Sequence, residues 1–185
     1  MVQVAQTPNA DQIAYWNGPG GQRWVDRQRM QDELLQPVSA ILLDRAKATP
    51  GKCIVDVGCG CGATTRAFAE QAGVSGYVLG IDVSAPMLER ARQIAPQTGR
   101  VEFRLADAAV YPFEPGRFDL IASRFGVMFF DEPVAAFANL RKALYPLTRR
   151  LAVRLARKRR HGRKGALDFR ATVRSSLSYG GVPAD

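Results

Sequence analysis

The run Asp56-Val57-Gly58-Cys59-Gly60-Cys61-Gly62 holds three glycines at alternate positions behind one acid. Without β-carbons, the backbone there can turn tightly and approach a ligand closely. A helix is expected to begin directly after it, and the first N–H groups of a helix are free to meet a ligand. Two further acids, Asp82 and Asp107, follow at near-equal intervals of 26 and 25 residues. A carboxylate can accept the hydroxyls of a ribose, and another can take the exocyclic amine of an adenine. The glycines by themselves leave two ligands open. Gly58, Gly60 and Ala63 satisfy the G-x-G-x-x-G/A pattern whose glycines admit a dinucleotide pyrophosphate. Asp56, two residues before Gly58, adds negative charge where a pyrophosphate would sit, and instead suits a cationic ligand. Taken singly, each feature has a plain alternative: a tight strand-to-helix turn for the glycines, and caps or turn residues for Asp82 and Asp107. Their joint placement is more specific than any member.

These residues need elements to hold them, and the chain alternates in the required way. Cys53–Val57, Tyr77–Asp82, Val101–Leu105 and Phe118–Ala122 read as buried strands. Helices are expected at Ala63–Ala72, ended by Gly73, then from a Ser84 cap with Pro86 in its first turn to about Ala95, and from Glu132 to Tyr145 with Asp131 as cap. Strands alternating with helices predict an α/β, Rossmann-like, doubly wound parallel sheet covered on both faces. Such sheets bind ligands beyond the carboxyl ends of their strands, where the strand order reverses; each of the three acids lies at such an end. Residues 1–10 read as disordered. A helical region is expected from Gly21 to Ala48, broken near Pro37, with Met30, Leu34, Val38, Ile41 and Leu42 forming one buried stripe. The expected domains are a helical lid at 1–48, the ligand-binding sheet at 49–146 and a basic tail at 147–185.

Charge divides the chain at the same place. Residues 1–148 hold 15 basic and 15 acidic residues, whereas 149–185 hold 11 basic and 2 acidic, so the whole net charge of +9 lies in the last 37 residues. No apolar run approaches the ~20 residues of a membrane span, and the N-terminus lacks the pattern of a signal peptide, which sets the expectation of a cytoplasmic protein. Cys53, Cys59 and Cys61 are odd in number and crowded around one strand end, which is no disulfide framework. A zinc site is not expected: C-x5-C-x-C lacks the usual knuckle, and the single histidine, His161, is distant in sequence.

The runs IVDVGCGCGATT, GIDVSAPMLERAR and ADAAVYPFEPGRFDLIASRFGVMFFDEPVAAFANLRKAL resemble class I methyltransferases of the ubiquinone/menaquinone-biosynthesis type, and YWNGPGGQRWVDRQ resembles the lid segment of one bacterial subgroup. The resemblance covers about residues 13–146. It implies S-adenosyl-L-methionine as cofactor and a small-molecule methyl acceptor. Asp56, Gly58, Cys59 and Gly60 would line the methionine part, and Asp82 would hold the ribose hydroxyls. Met87 would pack near the adenosine, Asp107 and Ala108 would contact the adenine, and Ser123 would face the amino-acid end. Tyr15, Trp16 and Trp24 would cover the site. No catalytic base is assigned. The implied reaction is direct displacement, in which the protein positions donor and acceptor and excludes water.

After Leu144 the chain departs from that family. Tyr145-Pro146 lacks the following glycines, and the arginine-rich remainder has no strand-hairpin character. Two explanations stand: a basic arm that binds nucleic acid through 149–185, or a shifted reading frame or truncation. The lost strand pattern favours the second, which predicts an exposed apolar edge on the fourth strand, aggregation, and an inactive chain. An NAD(P)-dependent oxidoreductase is the competing enzyme reading, opposed by Asp56 and Asp107.

Overall fold

The computed structural model describes residues 9–96 and 100–144. The expectations for the tail at 147–185, including its nucleic-acid role, lie outside those residues. Four helices come first: α1 (Ala10–Asn17), α2 (Pro19–Asp26), α3 (Gln28–Leu34) and α4 (Gln36–Ala46). Then follow β1 (Cys53–Val57), α5 (Ala63–Ala72), β2 (Tyr77–Asp82), α6 (Ala85–Ile94), β3 (Val101–Leu105), β4 (Leu120–Ala122), a 3-10 helix at Gly126–Phe129, and α7 (Pro133–Ala143).

The four strands form one parallel sheet in the order β3-β2-β1-β4. The Rossmann-like arrangement expected from the alternation is therefore present. β1 is central and buried on both faces, apolar apart from Asp56. One of its faces packs Val55 and Val57 with Leu79, Ile81, Phe113, Phe118, Leu140 and Ala143. The other packs Ile54 with Val78, Phe68 and Ala72, and Leu42 and Leu43 of α4 lie against that cluster. α6 sits on Phe103 of β3 through Leu88 and Ala91. The chain climbs β1, β2, β3 in one direction and then returns to the far side of β1 as β4. The order reverses between β1 and β4, so a crevice opens at their carboxyl ends.

Several local expectations change. Asn9 is buried and α1 begins at Ala10, so the disordered reading fails for those two residues. The helical region starts at Ala10 instead of Gly21, and Pro37 lies in the first turn of α4, where its missing N–H costs nothing. The apolar stripe is not buried: Met30, Leu34, Val38 and Ile41 are exposed, and Leu42 alone of the five packs on the sheet. The reason is polar. Gln28 and Asp32 on α3 meet Arg90 of α6 and Arg66 of α5, at 3.2 Å and 3.9 Å, and turn the polar side of α3 inward. Asp131 does not cap α7. Its carboxylate accepts the N–H of Asn9 at 2.6 Å, and its own N–H donates to the Asn9 side chain at 2.7 Å. The Ser84 cap is present, its hydroxyl accepting the Met87 N–H. The fourth strand is shorter than expected. Its outer side already has a parallel partner at its start, where Phe118 bridges Leu144 and the Phe118 N–H donates to the Ala143 carbonyl at 3.0 Å.

At the reversal of strand order the backbones of Gly58 and Gly126 touch. A β-carbon on Gly126 would lie 2.6 Å from the Gly58 Cα and 2.7 Å from the Val57 carbonyl oxygen. Neither neighbour is a flexible side-chain end, so Gly126→Ala must push β1 and the loop after β4 apart. Denaturant unfolding is expected to show a loss of roughly 1–3 kcal/mol, the usual cost of overpacking; an unchanged midpoint contradicts the contact.

Candidate active site

A cavity of about 300 Å³ occupies the crevice. Its floor is the loop after β1. Gly58 and Gly60 take positive φ angles of 68° and 56°, a region that L side chains rarely adopt. The loop spends most of its N–H groups on the protein: Gly58 N–H goes to the Ile81 carbonyl at 2.8 Å, Gly62 N–H to the Cys59 carbonyl at 2.9 Å, and Gly60 N–H to the Asp82 carboxylate at 2.8 Å. This bears on which ligand fits. A pyrophosphate needs free backbone donors and positive charge; here the donors are engaged and acids surround them. The dinucleotide reading therefore loses its main support.

Asp82 ends β2 and lines the cavity. Its two oxygens accept Gly60 N–H and Ser84 N–H, at 2.8 Å and 2.9 Å, which aims the carboxylate and leaves lone pairs toward the cleft. Burial pushes its pKa up. Asp107 follows β3, with one oxygen on Ala109 N–H at 2.8 Å and the other on the Asn9 side-chain amide at 2.6 Å. Ala108 and Met87 line the same end, and a β-carbon on Gly60 would meet the Met87 methyl at 2.7 Å. Cys59 also lines the cavity, its thiol pKa pushed well up by burial and then by the charges of Asp82 and Asp56.

The opposite wall is aromatic. Trp16 of α1 packs edge-on against Trp24 of α2 and Phe129 of the 3-10 helix, with centroids 6.0 Å and 5.6 Å apart. Phe125, Met128 and Phe130 extend this wall, and among the described residues Arg124 is the lining residue with a positive charge. The N-terminal helices are tied to the core by polar bonds. Ser84 Oγ donates to the Trp16 carbonyl at 2.6 Å, and the Asn17 side chain donates to the Val83 carbonyl at 2.7 Å while accepting the Ala85 N–H at 2.9 Å.

Of the residues singled out from sequence, Gly58, Cys59, Gly60, Asp82, Met87, Asp107, Ala108, Trp16 and Trp24 line this one cavity. Asp56, Ser123 and Tyr15 do not. Asp56 is completely buried beneath the loop, one oxygen accepting the hydroxyls of Thr64 and Thr65 at 2.7 Å each, the other without a partner among the described residues. Ser123 donates to the Val57 carbonyl at 2.8 Å and accepts Val127 N–H, so it braces the loop after β4. Tyr15 stands behind Trp16, edge-on at 5.1 Å. Sequence reasoning missed Asn9, Gln12, Arg124 and the wall from Phe125 to Phe130. For the latter, the apolar run directly after the fourth strand was the available signal.

A family model described as a methyltransferase domain matches residues 54–147, half of the chain. The chain belongs to this methyltransferase domain family. The methyltransferase domain is 35% identical over 116 residues to nocamycin O-methyltransferase of Saccharothrix syringae, covering 62% of this chain and 41% of that protein. It is 30% identical over 119 residues to the ubiquinone/menaquinone biosynthesis C-methyltransferase of Paraburkholderia phymatum, covering 64% and 49%. It is similar to a crystal structure of an S-adenosylmethionine-dependent methyltransferase from Mesorhizobium loti, at 32% identity and a TM-score of 0.53 over 58% of this chain and 48% of that one. The chain thus spans about half or less of the length of these relatives. The expectation of an inactive chain finds no support in the cleft, whose lining is assembled from residues 9–130.

Asp56 generates a pH-dependent prediction. Burial, only partly offset by the two threonine hydroxyls, raises its carboxyl from 3.8 to about 6. The folded chain therefore holds this proton more tightly than the unfolded one. Below about pH 4 both states are protonated and the burden is absent; stability then falls as pH rises through about 6. Asp56→Asn is neutral and similar in shape. Its stability relative to the parent is expected to improve by roughly 3 kcal/mol between pH 4 and pH 8. Denaturation curves at pH 4, 6 and 8 check this, and a gap that does not widen with pH contradicts it.

Proposed function

We propose that this methyltransferase domain binds S-adenosyl-L-methionine in the cleft and transfers its methyl group to a small-molecule acceptor. The observation that carries the reading is the pairing of an acidic, phosphate-averse floor with a facing aromatic wall. Asp82 would hold the ribose hydroxyls, and Asp107 with Ala108 would meet the adenine. Gly58, Cys59 and Gly60 would follow the sulfur-bearing chain, with Met87 beside the adenosine. These residues fit the cofactor: it is cationic, carries no phosphate, and needs close backbone approach instead of free N–H groups.

When bound, the cofactor supplies an already activated methyl group. The chain's own residues then position and exclude. Trp16 and Trp24 would close over the cleft and keep water out, and aromatic faces suit a positive sulfonium. Cys59 would stay unreactive beside the donor. A thiolate beside a methyl donor would be methylated, and burial with neighbouring negative charge holds this thiol protonated. Asp56 and Ser123, assigned to the cofactor by resemblance, would act from behind the floor by fixing its shape. The aromatic wall, with Phe125, Met128 and Phe129, supports an acceptor with a substantial apolar or ring portion. Relatives named for O- and for C-methylation leave the acceptor atom unassigned.

Calorimetric titration of the 185-residue chain tests the reading. S-adenosylmethionine and S-adenosylhomocysteine are expected to bind in the micromolar range, with at least a tenfold loss in Asp82→Ala and no comparable binding of NADH. A folded chain that binds neither adenosyl ligand overturns it, and preferential binding of NADH would favour the oxidoreductase instead.

A further inference from the structure

The residues at the carboxyl ends of the four strands lie in order across the sheet. Asp107 follows β3, Asp82 ends β2, Gly58 and Gly60 follow β1, and Arg124 follows β4; the strand order is β3-β2-β1-β4. Three strand spacings separate the ends of this row, roughly 14 Å, which is comparable to the reach of an extended nucleoside carrying an amino-acid chain. A cofactor whose adenine lies at Asp107 and whose ribose lies at Asp82 crosses the glycine loop at its sulfur. Its amino-acid end then arrives over β4.

The resemblance directs that end to Ser123, yet the Ser123 hydroxyl is engaged on both sides by Val57 and Val127. The next residue, Arg124, lines the cavity. Its guanidinium donates to the Ser39 hydroxyl of α4 at 2.9 Å through one nitrogen, and it forms no ion pair among the described residues. A guanidinium carries five donors in a planar fork that matches a carboxylate. The remaining charged lining residues, Asp82 and Asp107, are acids and would repel a carboxylate. Buried Asp56 lies within electrostatic reach of Arg124, which lowers its pKa against the effect of burial.

We infer that Arg124 is the anchor for the α-carboxylate of the cofactor's amino-acid end, with Ser39 of the lid orienting its guanidinium. This rests on the proposed S-adenosylmethionine reading and adds the residue that would select an amino-acid-bearing donor over a bare nucleoside. It also gives the lid a direct link to that end of the ligand.

The test compares S-adenosylmethionine with decarboxylated S-adenosylmethionine, which keeps the sulfonium and the amine and lacks only the carboxylate. The parent chain is expected to prefer the complete cofactor. Arg124→Gln is expected to weaken that cofactor by about ten- to a hundred-fold, the scale of a charge-assisted pair, and to change the decarboxylated ligand by less than about two-fold on the same reasoning. Arg124→Lys should fall between parent and Gln, because it keeps the charge and loses the fork. Retained binding of the decarboxylated ligand also reports that the variant is folded. Equal weakening of both ligands, or of neither, overturns the inference, including the outcome in which Arg124 instead serves an anionic acceptor. A parent chain that binds neither ligand overturns the cofactor reading itself.

Discussion

A buried carboxylate organises the binding end of the sheet. Asp56 occupies the central strand just before the glycine loop and takes the hydroxyls of Thr64 and Thr65 from the first turn of α5. The loop between them, residues 57–63, is thereby tied at both ends across one side chain. Its direction is then set by Gly58 and Gly60, which bond to the end of β2. A charge without water is costly to hold, and here it is held by two short hydroxyl bonds. The close backbone contact of Gly58 with Gly126 completes the arrangement by holding the loop against the start of the 3-10 helix.

The N-terminal helices attach largely by polar bonds. Their joints fall on backbone or side chains of the core: Asn9 on Asp107 and Asp131, Asn17 on Val83 and Ala85, Ser84 on the Trp16 carbonyl, Asp32 with Arg66, and Ser39 with Arg124. Hydrogen bonds of this kind each contribute about 1 kcal/mol net. They are directional, so they register the N-terminal helices over the cleft, beside the apolar contacts of Leu42 and Leu43 with the sheet and of Trp16 with Phe129. The same polar register explains the exposed side of α3 and α4.

The strands and the three acids were legible because each strand is an apolar run closed by a turn residue, and position at a strand end is a local property. The lid stripe misled for a physical reason. A periodic apolar face says that one side of a helix differs from the other; it does not say which side finds a partner, and on α3 the partners Arg66 and Arg90 select the polar side. The cleft positions of Asn9 and Arg124 and the bonds of Ser123 to Val57 and Val127 were illegible for a related reason. Their neighbours lie far away in sequence, and an asparagine or arginine in a loop carries no pattern by itself. Asp56 was singled out correctly as an unusual residue, but spacing could not tell a side chain that faces the cleft from one on the opposite face of the same strand.

The joints of the lid also impose an order in time. Asn9 is bonded to residues 98 and 122 positions later, and Asn17 to residues 66 and 68 positions later. During synthesis α1 therefore leaves the ribosome long before its sockets exist. Its Trp16 and Asn17 joints can form once Ala85 has been made, but the Asn9 joint must wait until the chain has been extended past Asp131, by which point β1, β2 and β3 have already been made and can pair with their neighbours. The Asn9 end of α1 can thus settle only after the glycine loop and both of the acids it meets have been made. The Asn9 joint therefore depends on two distant parts of the chain at once: if β3 or the turn before α7 is misplaced, Asn9 has nothing to hold.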